Sequence, residues 1–152
     1  IKAADAQFIW QTGKYYSAEI ATRLKGENIP NLKVTDFITD MGAAYKAADL
    51  VISRAGASSI SEFCLIGKPV ILVPSPNVAE DHQTKNALAL ANRDAAIYVK
   101  DADAPATLLE LAIKTVADEQ KLKSLSENVL KLALPDSADI IAKEVIKLAE
   151  KK

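Results

Sequence analysis

The chain predicts an α/β fold, a doubly wound parallel sheet followed by a helical tail. Three observations carry that reading. Five short apolar runs, rich in β-branched and aromatic residues, alternate with segments of helical period over the first hundred residues. Most of these runs are apolar on both faces, as strands covered by helices on both sides must be. After Val99 no further strand candidate occurs, and three amphipathic stripes follow. Strand–helix alternation implies right-handed crossovers within a parallel sheet.

Taken in order, the first strand is Phe8-Ile9-Trp10-Gln11, and a helix is expected over 15–24. Gly26-Glu27-Asn28-Ile29-Pro30-Asn31 closes that helix with turn-forming residues. The second strand is Val34-Thr35-Asp36-Phe37-Ile38, followed by a short helix over 43–48. Leu50-Val51-Ile52-Ser53 is the third strand, and its helix covers 59–66. Gly67-Lys68-Pro69 supplies a Gly stop and a Pro start. Val70-Ile71-Leu72-Val73, a helix over 82–92 and Ala96-Ile97-Tyr98-Val99 complete the alternation. In the tail, Leu108, Leu109, Leu111, Ala112 and Val116 form one stripe, and Leu122, Leu125, Val129, Leu130 and Leu132 a second. Pro135-Asp136-Ser137 is a break, after which Ile140, Ile141, Val145, Ile146 and Leu148 form a third. Charged residues occupy the opposite faces, so the tail reads as a helical cover on the sheet.

With 152 residues, 49% of them hydrophobic and 26% charged, one globular domain with a true core is expected. A net charge of −1 offers no basic field for a nucleic-acid backbone. The single cysteine, Cys64, excludes an internal disulfide and fits a reducing compartment. It lies between Phe63 and Leu65 in a helical pattern, where a buried thiol packs as a small apolar group. No apolar stretch approaches the ~20 residues of a membrane-spanning helix. The chain begins with Ile1 rather than Met and opens almost directly on a strand, which leads us to expect a piece of a longer protein. There is no G-x-G-x-x-G or P-loop anywhere.

Two polar strand-to-helix turns concentrate the candidate chemistry. The first is Ser53-Arg54-Ala55-Gly56-Ala57-Ser58-Ser59-Ile60-Ser61-Glu62. In an open parallel sheet it falls at the carboxyl edge of the strands, where such sheets bind ligands. Gly56 and Ala57 have no bulk to hold a ligand off the main chain. The following helix presents N–H groups and a positive dipole end, suited to phosphate or sugar hydroxyls. Arg54 adds a fixed positive charge suited to a diphosphate. Glu62 has two readings of equal weight. It can accept hydrogen bonds from a ribose diol, or it can close a capping box with Ser59 through the S-x-x-E pattern.

The second turn runs from Pro74-Ser75-Pro76-Asn77 to Asp81-His82-Gln83-Thr84-Lys85-Asn86. Asp81 is placed to cap its helix. His82 and Gln83 occupy the first turn, with Asn86 three residues on from Gln83. Taken singly, Gln83 and Asn86 would be solvated surface residues. Grouped, these neutral donors and acceptors suit sugar hydroxyls better than a metal, which wants further His, Cys or paired carboxylates. The lone histidine has no triad or paired-acid context that would make it a general base. Gln11-Thr12-Gly13-Lys14 is read mainly as a chain-turning segment, and the backbone after Phe37 is able to read the edge of a flat base.

These residues together are recognisable. The stretch Val34-Thr35-Asp36-Phe37-Ile38-Thr39-Asp40-Met41 leads on to Ala48-Asp49-Leu50-Val51-Ile52-Ser53-Arg54-Ala55-Gly56-Ala57. Glu62, Gly67-Lys68-Pro69, Val73-Pro74 and His82-Gln83-x-x-Asn86-Ala87 follow in the same order. The whole resembles the MurG family, the UDP-N-acetylglucosamine–N-acetylmuramyl-(pentapeptide) pyrophosphoryl-undecaprenol N-acetylglucosamine transferases of peptidoglycan synthesis. The resemblance covers nearly the whole chain, and S-R-A-G-A followed by D-H-Q-x-x-N-A is its specific signature.

The resemblance implies a GT-B glycosyltransferase of two Rossmann-like domains, with residues 1–152 as the C-terminal, UDP-N-acetylglucosamine-binding domain. It implies that this piece lacks the first strand with its Gly-rich diphosphate loop, and the N-terminal acceptor domain that carries the general base. By the same resemblance the Ile38 backbone would bond the uracil and Glu62 the ribose diol. The Ala57 main chain beside Gly56 would meet sugar or phosphate. Gln83, with His82 and Asn86, would read the N-acetylglucosamine hydroxyls, and Arg54 would line the pocket. The donor would be UDP-N-acetylglucosamine and the acceptor lipid I, with no cofactor, metal or nucleic acid. The family works in the cytoplasm, on the cytoplasmic face of the bacterial inner membrane, and membrane contact would come through the absent domain. A UDP-sugar epimerase of the same architecture would want more acidic and His residues around the sugar than His82 alone. A non-catalytic nucleotide-binding or receiver-like α/β module is the alternative from another class; a receiver-type module would need acidic residues at the end of the first strand, where Gln11-Thr12-Gly13-Lys14 stands.

Overall fold

A computed structural model of the chain describes residues 1–150. The elements run β1 (Phe8–Gln11), α1 (Gly13–Arg23), β2 (Leu32–Thr35), α2 (Met41–Ala47), β3 (Val51–Ser53), α3 (Ala57–Ile66) and β4 (Val70–Leu72). A short 3-10 turn (Ala79–Asp81) leads to α4 (His82–Ala91), then β5 (Ile97–Tyr98), α5 (Ala104–Val116), α6 (Glu119–Leu130) and α7 (Ser137–Glu150). The fold is α/β, and every strand pairing is parallel. The pairings form two ladders rather than one. β1 pairs with β2, and β3-β4-β5 form a separate sheet, with no ladder between the two among the described residues.

Each expected strand and helix is present, with shifted ends. β2 starts two residues early and stops at Thr35, whose hydroxyl donates to the Phe37 carbonyl at 3.0 Å and turns the chain. Phe37 and Ile38 therefore lie beyond the strand. α2 begins where the Asp40 carboxylate accepts the Ala43 N–H at 2.8 Å, and α6 begins where Asp118 accepts from Lys121 N–H at 2.9 Å.

The core gathers around β4, which is buried along its whole length. The alternation of the strand divides its residues between two faces. Val70 and Leu72 pack with Phe63 and Cys64 of α3, Ala87 and Leu90 of α4, and Val129 of α6. Ile71 and Val73 pack on the other face with Val99 and with Ala112 of α5. Each fully buried side chain of this size contributes about 1.5–3 kcal/mol relative to exposure. α3 ends at Gly67, whose left-handed φ of 65° suits glycine. A Cβ there would lie 2.6 Å from Leu130 Cγ, so the same residue lets α6 approach closely. Ser126 of α6 seals the contact by donating to the Gly67 carbonyl at 2.7 Å.

Two expectations fail on burial. β1 and β2 are not covered on both sides: Ile9 is 53% and Trp10 41% exposed, and α1 buries no residue. Among the described residues these two strands pair only with each other, and their apolar side chains stay partly exposed. The third tail stripe is also open. α5 and α6 pack on the β3–β5 sheet, whereas α7 buries nothing and leaves Ile141 63% exposed. Among the described residues, no helix is long and apolar enough to cross a membrane.

Candidate functional site

The carboxyl ends of β3, β4 and β5 come together at one edge, and side chains from the turns bind the edge into a unit. Arg54, just after β3, donates from Nη1 to the carbonyls of Val73 and Pro74, each at 3.2 Å. The same nitrogen is ion-paired with Asp101, which follows β5. Arg54 thus spans three strand ends, and Asp101 offsets part of its charge.

The two polar turns are joined by α4. Gln83 Oε1 accepts two backbone N–H groups, Ala55 at 3.2 Å and Ser75 at 2.9 Å. Asn86 Nδ2 donates to the Ala55 carbonyl at 3.2 Å. Ala55 is fully buried, and both its polar main-chain groups are held by one helix. Gln83 and Asn86 are consequently half-buried rather than solvated. The Gln83 carbonyl is committed to the backbone, and its Nε2 hydrogens are the part able to address a ligand. His82 opens α4 beside it and is exposed. Asp81 stands at the start of α4 as expected, but its φ of 51° is left-handed and its side chain makes no capping bond.

α3 starts earlier than its sequence pattern indicated. Gly56 takes the cap position with φ −68°, and no side chain caps the helix. That φ is open to any residue, and a Cβ on Gly56 would meet only Ser59 Oγ at 3.9 Å, an ordinary contact. Neither backbone conformation nor internal packing demands glycine here. Its missing side chain opens the main chain to the edge, where the first-turn N–H groups of α3 carry the positive end of the helix dipole.

Ser59 falls inside α3, so the capping box with Glu62 does not form. The Glu62 carboxylate instead accepts the Tyr45 hydroxyl, from α2, at 2.9 Å. Burial, followed by the bond to Glu62 and its charge, pushes the Tyr45 hydroxyl up to about 12. Tyr45 also meets Phe63 edge-to-face, with ring centroids 5.7 Å apart.

Ile38 is held at a different place, beyond the end of β2. Its N–H donates to Gln11 Oε1 at 2.8 Å, tying the ends of β1 and β2 together. The structure therefore joins Gln83 and Asn86 through Ala55, the residue before the Gly56–Ala57 start of α3, and ties Arg54 separately to Val73, Pro74 and Asp101 at the same strand ends. It sets Glu62 further along α3 against α2, and keeps Ile38 with the other ladder. Sequence reasoning missed Tyr45, Asp101 and the bond made by Gln11. Tyr45 carried one usable signal, as the only aromatic residue in the Ala-rich segment Gly42-Ala43-Ala44-Tyr45-Lys46-Ala47-Ala48.

Comparison with known proteins identifies the family. Over 148 residues the chain is 72% identical to the UDP-N-acetylglucosamine–N-acetylmuramyl-(pentapeptide) pyrophosphoryl-undecaprenol N-acetylglucosamine transferase of Bacteroides thetaiotaomicron, covering 96% of this chain and 40% of that protein. It is 57% identical over 150 residues to the protein of the same name from Parabacteroides distasonis, covering 99% of this chain and 41% of that one. The chain thus spans about two fifths of the length of these relatives. Among solved structures, Acinetobacter baumannii MurG superposes with a TM-score of 0.76 at 31% identity, covering 95% of this chain and 42% of that one. The glycosyltransferase VinC, solved with dTDP, shares the fold with a TM-score of 0.77 at 21% identity, covering 100% of this chain and 36% of that one. The resemblance to the MurG transferases read from the motifs holds against these relatives. The profile of the Glycosyltransferase family 28 C-terminal domain matches residues 1–141, and the chain belongs to that family.

Proposed function

We propose that this chain is the donor-binding part of an inverting glycosyltransferase that moves N-acetylglucosamine from UDP-N-acetylglucosamine to lipid I, giving lipid II for peptidoglycan. The observation that carries the reading is the hydrogen-bonded edge at which Gln83 and Asn86 hold Ala55, directly before the Gly56–Ala57 start of α3, which no side chain caps. Relatives of up to 72% identity bear the name of that transferase.

In this reading residues 1–152 form the C-terminal donor domain without its first strand, its Gly-rich loop and the acceptor domain. The gap between the two parallel ladders supports the missing strand, because one further parallel strand would join β1 to β3. The acceptor, the general base and contact with the cytoplasmic face of the inner membrane belong to the rest of the protein.

The residues described here bind and orient. The Ile38 backbone takes the uracil edge once Gln11 yields its N–H. The Glu62 carboxylate takes the ribose diol through the oxygen that Tyr45 leaves open. The Ala57 N–H and the α3 dipole meet the diphosphate, with Arg54 lining the pocket. Gln83 Nε2, His82 and Asn86 face the sugar. An acceptor hydroxyl attacks C1 as the C1–O bond to UDP breaks, and the electron pair leaves on the diphosphate. Positioning and stabilisation of that leaving charge are the chain's contribution.

Titration calorimetry of the full-length protein with UDP-N-acetylglucosamine tests the reading. Binding that weakens at least about tenfold in Glu62→Ala is expected, in line with loss of a charged hydrogen-bonding group. Wild-type protein that binds no UDP-N-acetylglucosamine, or transfers no sugar to a lipid I analogue, would overturn it. The 152-residue chain alone is expected to bind weakly and to show no turnover.

A further inference from the structure

We propose that Tyr45 is a positioning residue, whose hydroxyl holds one oxygen of Glu62 so that the carboxylate meets the nucleotide ribose in a fixed orientation. The proposal rests on the ribose role given to Glu62 above.

Glu62 is an exposed side chain on α3, and a free glutamate there would sample many rotamers. The Tyr45 hydroxyl restricts it by donating to Oε2 at 2.9 Å. Tyr45 is itself fixed from two directions. Its ring lies edge-to-face on Phe63, which is 1% exposed and part of the main core. Its helix is pinned at both ends, by Asp40 at the start and by Lys68 Nζ donating to the Ala48 carbonyl at 2.6 Å. Order therefore passes from the core through the Tyr45 ring to the carboxylate.

The chemistry fits the task. An ionised carboxylate offers about four lone-pair sites, so one bond from Tyr45 leaves room for both hydroxyls of a diol. The hydroxyl stays protonated far above neutral pH and so remains a donor. Glu62 and Phe63 are adjacent in sequence, so one turn of α3 sends one side chain to the edge and the next into the core.

The test compares UDP with 2′,3′-dideoxy-UDP on the full-length protein. Wild type should prefer UDP, and Glu62→Ala should erase that preference. Tyr45→Phe, which removes only the hydroxyl, should weaken UDP about three- to tenfold and leave 2′,3′-dideoxy-UDP unchanged, the size expected for one hydrogen bond. The KM for UDP-N-acetylglucosamine should rise by the same factor with kcat within about twofold of wild type, and the melting temperature should stay within a few degrees. A wild-type ratio in Tyr45→Phe overturns the proposal, and so does equal weakening of both ligands, the mark of general disruption. If Glu62→Ala keeps the preference for UDP, the ribose role of Glu62 fails first and the positioning role falls with it.

Discussion

The two ladders are made of similar strands and end in opposite states. Val70, Ile71 and Leu72 of β4 are wholly buried, whereas Ile9 and Trp10 of β1 are 53% and 41% exposed. β1 carries three large apolar residues, Phe8, Ile9 and Trp10, before the polar Gln11. What differs is the supply of neighbours: α3, α4, α5 and α6 all place buried residues around the β3–β5 sheet, while no residue of α1 is buried. Burial is a property of a pair of surfaces, and an apolar strand provides one of them.

The sharpest way to break this comparison is truncation on each side. Phe63→Ala should cost about 3–5 kcal/mol in denaturant unfolding of the chain, as for large buried aromatics. Ile9→Ala should stay within about 0.5 kcal/mol, as at exposed sites. Equal losses would mean that β1 is as well packed as β4.

Three smaller effects sharpen the picture within the packed half. Gly67→Ala places a Cβ against Leu130 in a left-handed residue and should cost about 2 kcal/mol or more, read as a lowered melting temperature. Gln83→Met removes the shared acceptor of Ala55 and Ser75 and should destabilise by about 1–3 kcal/mol. Asn86→Ala, which loses one bond to Ala55, should cost about 0.5–1.5 kcal/mol. A Gln83 substitution with no effect on stability would make Gln83 a pure ligand contact.

The smallest effect is in the alkaline limb. Tyr45 ionises near 12 in the folded chain and near 10 when unfolded. Its raised value stabilises the fold fully below about pH 10, and that contribution fades as pH climbs through about 12. Absorbance at 295 nm should show a late tyrosine ionisation, and Tyr45→Phe should remove that step.

Much of the architecture was legible in the residues. Short apolar runs, mostly apolar on both faces, between helix-period segments located all five strands, and the motif order from Val34 to Ala87 carried the family. The ends of elements were less legible, because local bonds set them. Thr35 closes β2 through Phe37, and Gly56 rather than Ser59 caps α3. The candidate residues could be named from the sequence, but their hydrogen-bond partners could not. Gln83 was read as surface or sugar contact, yet it holds two backbone N–H groups. The partner of Glu62 came from Tyr45, seventeen residues away on another helix.

The sequence by itself determined the α/β class, the parallel order of its units, the burial of Cys64 and the family signature. Those depend on periodicity and on residue types at short spacing, which a linear chain displays directly. Only the tertiary structure decided which apolar faces are covered, that the strands form two ladders, and that Arg54, Gln83, Asn86 and Tyr45 spend hydrogen bonds on one another's surroundings. A hydrogen bond is satisfied within about 3 Å, and which donor reaches which acceptor at that range is settled by how helices dock on the sheet.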